Sequence, residues 1–204
     1  MNIGVFASGR GSNFEAILHA IQQGTLPARV TLLLSNKSDA GAMETARSCA
    51  IPSVLLSQMQ FPDESSFAAA MLKVLQAHDV HLIALAGYLK KIPTLVVREY
   101  RNRILNIHPA LLPAFGGNGM YGHAVHEAVI ASGAKLSGAT VHLVDEEYDH
   151  GAILLQKPVA VEADDTPESL AARVLQVEHE IYPLALKAFA ENRVMIDERT
   201  AWIH

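Results

Sequence analysis

The sequence predicts an α/β fold: a mostly parallel sheet with helices on both faces, followed by an antiparallel hairpin and a long helix. Three observations predict it. Short, almost continuously apolar runs alternate with amphipathic ones over the first half of the chain, the pattern of strands buried on both faces. A glycine turn, Gly9-Arg10-Gly11, separates the first apolar run from the first helical pattern. Beyond residue 136 the alternation stops, and two strand-like runs follow each other across one short loop, which pairs them antiparallel.

Each element has its own signal. Residues 3–8 (IGVFAS) read as a buried strand, and a helix follows over 14–23. Residues 29–36 are the second strand, with a helix at 40–49. Residues 53–57 form a short third strand. The stretch 64–78 is a helix, because Phe67, Met71, Val74 and Leu75 share one face. Residues 81–87 are the fourth strand, followed by a short helix after Pro93, and 103–109 are the fifth. A helix over 122–132 leads to the late strands at 137–145 and 152–161. The last helix runs over 167–192. Thr166 is placed to cap it and Pro167 to occupy its first position, while Pro183 should kink or break it near Ile181. The tail is expected as a short surface strand or coil.

Composition narrows the function classes. Half of the 204 residues are hydrophobic, enough for a substantial core. The net charge of −5 and the absence of a Lys/Arg block argue against a nucleic-acid surface. The one cysteine, Cys49, excludes an intramolecular disulfide framework and suits a reducing, cytoplasmic setting. No apolar run approaches the ~18 residues of a membrane span, and no signal peptide is expected.

Two stretches carry chemistry. In Ser8-Gly9-Arg10-Gly11-Ser12-Asn13, glycines permit close backbone approach and a helix N-terminus presents N–H groups, which together suit an anion. The competing reading is a plain turn with Ser or Asn as the cap. A dinucleotide fingerprint needs a third glycine where Phe14 stands and an acidic residue where Ser35 and Asn36 stand. The ATP-type G-K-[ST] is absent, so a monophosphate on a small ligand fits best.

The second stretch is Asn106-Ile107-His108-Pro109. Alternation puts Asn106 and His108 on one side of the strand end, where open sheets bind ligands. An Asn N–H suits a developing oxyanion and a His can move protons. A structural Asn-His pair is the competing reading. The acidic loop Val144-Asp145-Glu146-Glu147-Tyr148-Asp149 offers a carboxylate that would raise the pKa of His108, orient it or hold a water; its competing reading is a solvated hairpin tip. His123 and His126 have helical spacing but no further ligand motif, so no metal is expected. His142 is expected as a buried, hydrogen-bonded packing residue.

The stretches GVFASGRGSN, AGYLKKIP, ILNIHPALLPAF, SGATVHLVDEEYDHGAILLQ and VEHEIYP, in this order along the whole chain, resemble the phosphoribosylglycinamide formyltransferase family. The resemblance implies a Rossmann-like formyltransferase fold in a single domain over 1–204, with a nucleotide half to about 105 and a folate-binding, catalytic half from about 106. It implies transfer of a formyl group from 10-formyltetrahydrofolate, a co-substrate, to the amine of glycinamide ribonucleotide, in purine biosynthesis. Asn106, His108 and Asp149 match the catalytic trio. Gly11, Ser12 and Asn13, with Arg10 beside them, match the ribonucleotide phosphate loop. Glu178 matches a glutamate on the glycinamide side. Leu89, Lys90, Lys91 and Ile92 match a folate-lining stretch, and Val144, Asp145, Glu146, Glu147 and Tyr148 a loop over the pteridine.

Departures from the family pattern are Ala110 for a common Ser, Asn118 for Lys, and Asp63-Glu64 where relatives carry an arginine. The last two remove positive charge from the ribonucleotide end, with Arg10 as a possible compensation. The implied partners are small molecules, with no nucleic acid and no membrane, in a monomer or homodimer. Competing readings are a 10-formyltetrahydrofolate hydrolase, which usually carries an extra N-terminal domain with no room here, a methionyl-tRNA formyltransferase, which needs a further C-terminal domain and basic surface, and a non-catalytic nucleotide- or folate-binding module.

Overall fold

The computed structural model describes residues 1–204. The chain forms two compact units, Met1–Leu105 and Asn106–His204.

The first unit is built from strands β1 (Asn2–Phe6), β2 (Arg29–Ser35), β3 (Ser53–Leu55) and β4 (Leu82–Leu85). They lie in the order β3-β2-β1-β4, and β1 pairs parallel with both β2 and β4. Every residue of β1 and β4 is buried, as a strand covered on both faces requires. Helices α1 (Ser12–Gln22), α2 (Gly41–Ser48), α3 (Glu64–Ala77) and α4 (Thr94–Glu99) make the crossovers. Phe14 and Ile17 of α1 and Phe67, Met71 and Leu75 of α3 fill the core. The chain's order reverses between β1 and β4, so the loops after these two strands flank the switch point at which such sheets bind ligands.

The acidic pair that departs from the family pattern has local structural roles. Asp63 caps α3 by accepting from Ser66 N at 2.7 Å. Glu64 Oε1 accepts from Thr94 N at 3.4 Å.

Strand β5 (Ile104–His108) carries the chain into the second unit. There it is followed by α5 (His123–Ala131), β6 (Leu136–Leu143), β7 (Ile153–Ala160) and α6 (Pro167–Ala190), with strand order β5-β6-β7. The expected antiparallel hairpin is β6 with β7. The capping expected at Thr166 is present and reciprocal: Thr166 Oγ1 accepts from Ser169 N, and Ser169 Oγ accepts from Thr166 N at 3.0 Å.

Pro183 does not break α6, which runs from Pro167 to Ala190, so of the expected kink or break the break does not occur. An interior proline costs about 3 kcal/mol, but the buried face of α6 continues across it through Ile181, Tyr182, Ala185 and Leu186. Burying a large apolar side chain contributes roughly 1.5–3 kcal/mol, so these residues hold the helix through the proline. The tail is a hairpin of β8 (Val194–Asp197) and β9 (Thr200–Ile203) rather than a lone strand.

Candidate active site

In the first unit the glycine turn joins β1 to α1. Gly11 is the N-cap of α1, at φ 89°, and no side chain caps the helix. That departs from the plain-turn reading, in which Ser or Asn would occupy the cap position. A Cβ at Gly11 would lie 2.7 Å from that of Ala42, so both backbone geometry and space demand glycine here. Arg10 is exposed, Ser12 half-buried and Asn13 buried. Ser8 ties the strand ends together. Its hydroxyl donates to Asn36 Oδ1 at 2.5 Å and accepts from Leu89 N at 2.9 Å, and its N–H donates to the Gly87 carbonyl. The stretch after β4 is thereby fixed beside the glycine turn. Within it Leu89, Lys90 and Lys91 are exposed and Ile92 is buried.

In the second unit Asn106, His108 and Asp149 come together, and His142 joins them. Asn106 and His108 sit at the end of β5. Asp149 lies in the β6–β7 connection, where it takes a left-handed φ of 55°, a conformation that Asp tolerates better than most residues. Its side chain is 12% exposed, whereas Glu146, Glu147 and Tyr148 of the same loop face solvent. Asp145 closes the loop on itself by accepting from Glu147 N and pairing with His150 Nδ1 at 2.9 Å. The middle of this loop is exposed, whereas Asp149 is turned inward. Glu178 is buried on α6.

Hydrogen bonds assign the histidine tautomers. His142 Nδ1 lies 2.8 Å from the Leu143 carbonyl, which can only accept, so Nδ1 carries the proton. In the neutral ring Nε2 then accepts from Asn106 Nδ2 at 3.0 Å, and Asp149 Oδ1 lies 3.5 Å from the same nitrogen. His108 Nε2 lies 2.8 Å from the Phe115 carbonyl, so it too is the protonated nitrogen. His108 Nδ1 faces Asp149 Oδ2 at 3.6 Å. Asp149 Oδ2 also accepts from Gly117 N at 2.9 Å.

Asp149 does raise the His108 pKa, but burial lowers it more, and His142 adds to the lowering. The net direction is down, because desolvation of a buried imidazolium outweighs a carboxylate 3.6 Å away. Burial alone would push Asp149 up. The close approach of the His142 ring, then His108 and the Gly117 N–H, together hold it below the ordinary carboxylate range. The resting pair at neutral pH is a neutral imidazole beside a carboxylate.

His142 is buried and hydrogen-bonded as expected, and its neighbours include Asn106 and Asp149 of the candidate site. The signal was present in ATVHLVD: Thr140 and His142 share one face of β6. Thr140 Oγ1 donates to the Ala110 carbonyl at 2.6 Å and accepts from Leu112 N at 3.0 Å. Gln156 Nε2 donates to the Leu112 carbonyl at 2.8 Å. These bonds staple the segment after His108 to the hairpin. The two α5 histidines have different surroundings. His123 pairs with Glu127 at 3.2 Å and Glu168 at 3.4 Å on the surface, while His126 is buried with Nδ1 unpartnered.

Burial, and then the neighbouring His123 and His108, lower the His126 pKa. The unfolded chain therefore takes up the proton first as pH falls below ~6.5, and stability falls with it. The thermal midpoint is expected to decline from pH ~8 to ~5, and His126→Gln to reduce that slope. An identical slope in the variant, measured by scanning fluorimetry, would contradict this.

The fold and these residues define a class. The formyl transferase family model matches residues 1–186, and the chain belongs to that family. Its relatives include phosphoribosylglycinamide formyltransferases. The chain is 47% identical over 193 residues to the chloroplastic one of Vigna unguiculata, covering 95% of this chain and 62% of that protein. It is 39% identical to that of Bacillus subtilis, covering 90% of this chain and 91% of the relative. The chain thus spans about two thirds or less of the plant proteins and most of the bacterial one. Among solved structures, glycinamide ribonucleotide transformylase 1 from Symbiobacterium toebii superposes with a TM-score of 0.94 at 39% identity, over 100% of this chain and 93% of that one. A formyltetrahydrofolate deformylase from Pseudomonas syringae reaches 0.88 at 25% identity, over 99% of this chain and 65% of that one. No helix is long and apolar enough to cross a membrane.

Proposed function

We propose that this protein is a phosphoribosylglycinamide formyltransferase, acting as a single formyltransferase domain over 1–204. It transfers the formyl group of 10-formyltetrahydrofolate to the amine of glycinamide ribonucleotide, giving formylglycinamide ribonucleotide and tetrahydrofolate in purine biosynthesis. The observation that carries this reading is the constellation of Asn106, His108, His142 and Asp149, its two histidines buried and the others half-buried, in a chain whose relatives bear that name. The phosphate is assigned to the N–H groups at the start of α1, with Arg10, Gly11, Ser12 and Asn13, and the glycinamide side to Glu178. The folate is assigned to Leu89, Lys90, Lys91 and Ile92, and to the loop of Val144, Asp145, Glu146, Glu147 and Tyr148. Both ligands are small molecules, and the setting is cytoplasmic.

The substrate amine attacks the formyl carbon, and the carbonyl oxygen becomes a tetrahedral oxyanion. One N–H of the Asn106 amide is committed to His142; the other stabilises the oxyanion. His108 starts neutral, so it accepts the proton of the attacking amine rather than donating one at the outset. Asp149 stabilises the imidazolium so formed, and that proton passes to N10 as the C–N10 bond breaks. No bond to the protein forms, and the proton count closes within the site.

Asp149→Asn separates this role from ligand binding. It should lower kcat by about 10²-fold, since the imidazolium loses its counter-charge, while both KM values stay within about threefold. A rise in the folate KM with kcat intact would make Asp149 a pocket residue and contradict its place in the proton path.

A further inference from the structure

Both members of the proton-handling pair are held by one short segment of main chain. The Phe115 carbonyl accepts from His108 Nε2 at 2.8 Å. Two residues on, the Gly117 N–H donates to Asp149 Oδ2 at 2.9 Å. The segment offers an acceptor to the group that carries a proton and a donor to the group that carries negative charge. Its backbone is built for this. Phe115 has a φ of 56°, uncommon for a residue with a side chain, and Gly117 one of 99°. A Cβ on Gly116 would lie 2.5 Å from Leu112 Cδ2 and 3.2 Å from Asp149 Cβ. The segment therefore packs closely against Asp149, and a side chain at Gly116 would require Leu112 and Asp149 to shift.

We infer that Phe115 and Gly117 are positioning residues: the Phe115 carbonyl fixes His108 with Nδ1 as its proton-accepting nitrogen, and the Gly117 N–H holds the Asp149 carboxylate towards that nitrogen. With Nε2 committed at 2.8 Å, the lone pair of the neutral ring is on Nδ1. That nitrogen is 3.6 Å from Asp149, beyond a good hydrogen bond, and so is not tied up before the amine proton arrives. Uptake of the proton at Nδ1 turns this contact into an ion pair. The main chain thus selects which end of the imidazole works and prevents the ring from turning. This rests on His108 being the proton carrier proposed above.

The test is nitrogen-15 NMR of histidine-labelled protein at about pH 8, where the ring is neutral, with His108→Ala supplying the assignment. Wild-type His108 should show a protonated Nε2 and a bare Nδ1. Gly116→Ala, which displaces the segment, should give a mixture of tautomers at His108. It should also lower kcat by more than about tenfold, with KM for both substrates changed less than about threefold. A wild-type His108 protonated on Nδ1 would overturn the inference. So would Gly116→Ala with kcat within about twofold of wild type, or with lost kcat and an unchanged His108 spectrum, which would mark a merely structural effect. If Gly116→Ala does not fold, replacing the Gly117 amide by a backbone ester removes the N–H alone, and kcat should still fall about tenfold; unchanged kcat overturns the Gly117 role. Activity retained by His108→Ala would instead sink the catalytic assignment of His108, a separate result from any of these.

Discussion

His108→Ala is expected to lower turnover by about 10²–10⁴-fold while leaving the chain folded. The size follows from the proton path proposed for the ring. As the attacking amine forms its C–N bond it becomes cationic and must lose a proton before N10 can leave. His108 is buried, neutral at rest and backed by an ionised Asp149, so it meets the requirements of a base that later becomes an acid. Alanine removes the acceptor and leaves Asp149 facing a small void. Stability should change modestly, because the ring makes one strong hydrogen bond, to Phe115, and that carbonyl lies in a half-buried loop within reach of water. Single-turnover rates with both substrates saturating check this directly. A loss below about tenfold would remove His108 from the proton path.

Asn106→Ala is expected to cost about 10²–10³-fold in kcat, the typical effect of deleting one oxyanion donor. The amide is not free to rotate: His142 holds one of its N–H groups, and the Leu143 carbonyl in turn holds His142. The donor is thus oriented before substrate arrives, and its contribution is realised where negative charge develops. Because the carbonyl of the bound donor is neutral, KM should move far less than kcat. A change confined to KM would mean that Asn106 binds the ground state and that oxyanion stabilisation comes from elsewhere.

Much of this architecture was legible in the chain itself. The apolar runs of β1, β2 and β4 and the late hairpin follow directly from residue pattern. The Thr166–Ser169 cap could be read from four residues. Asn106 and His108 were accessible because a strand end signals itself locally, whereas Asp149 was singled out from the acidic loop only by the family resemblance. What could not be read is what depends on distant partners. His142 looked like packing because nothing near it in sequence shows that Asn106, 36 positions earlier, lies 3.0 Å away. The Thr140–Gln156 staple and the Phe115–Gly117 segment are tertiary contacts of the same kind. The net direction of the His108 shift could not be read, because a nearby carboxylate can be inferred from sequence, whereas the larger desolvation effect depends on how completely the ring is buried. That Pro183 does not break α6 has a related reason: its local cost is fixed, but the buried face that offsets it belongs to the packed unit.

The most direct test of the central claim is tetrahydrofolate formation from 10-formyltetrahydrofolate, followed by absorbance, with and without glycinamide ribonucleotide, together with mass spectrometry of the products. Strict dependence on the ribonucleotide, with one formylated ribonucleotide for each tetrahydrofolate, is the predicted result. Tetrahydrofolate formed at the same rate without the ribonucleotide, accompanied by free formate, would contradict it and make water the acceptor at this site.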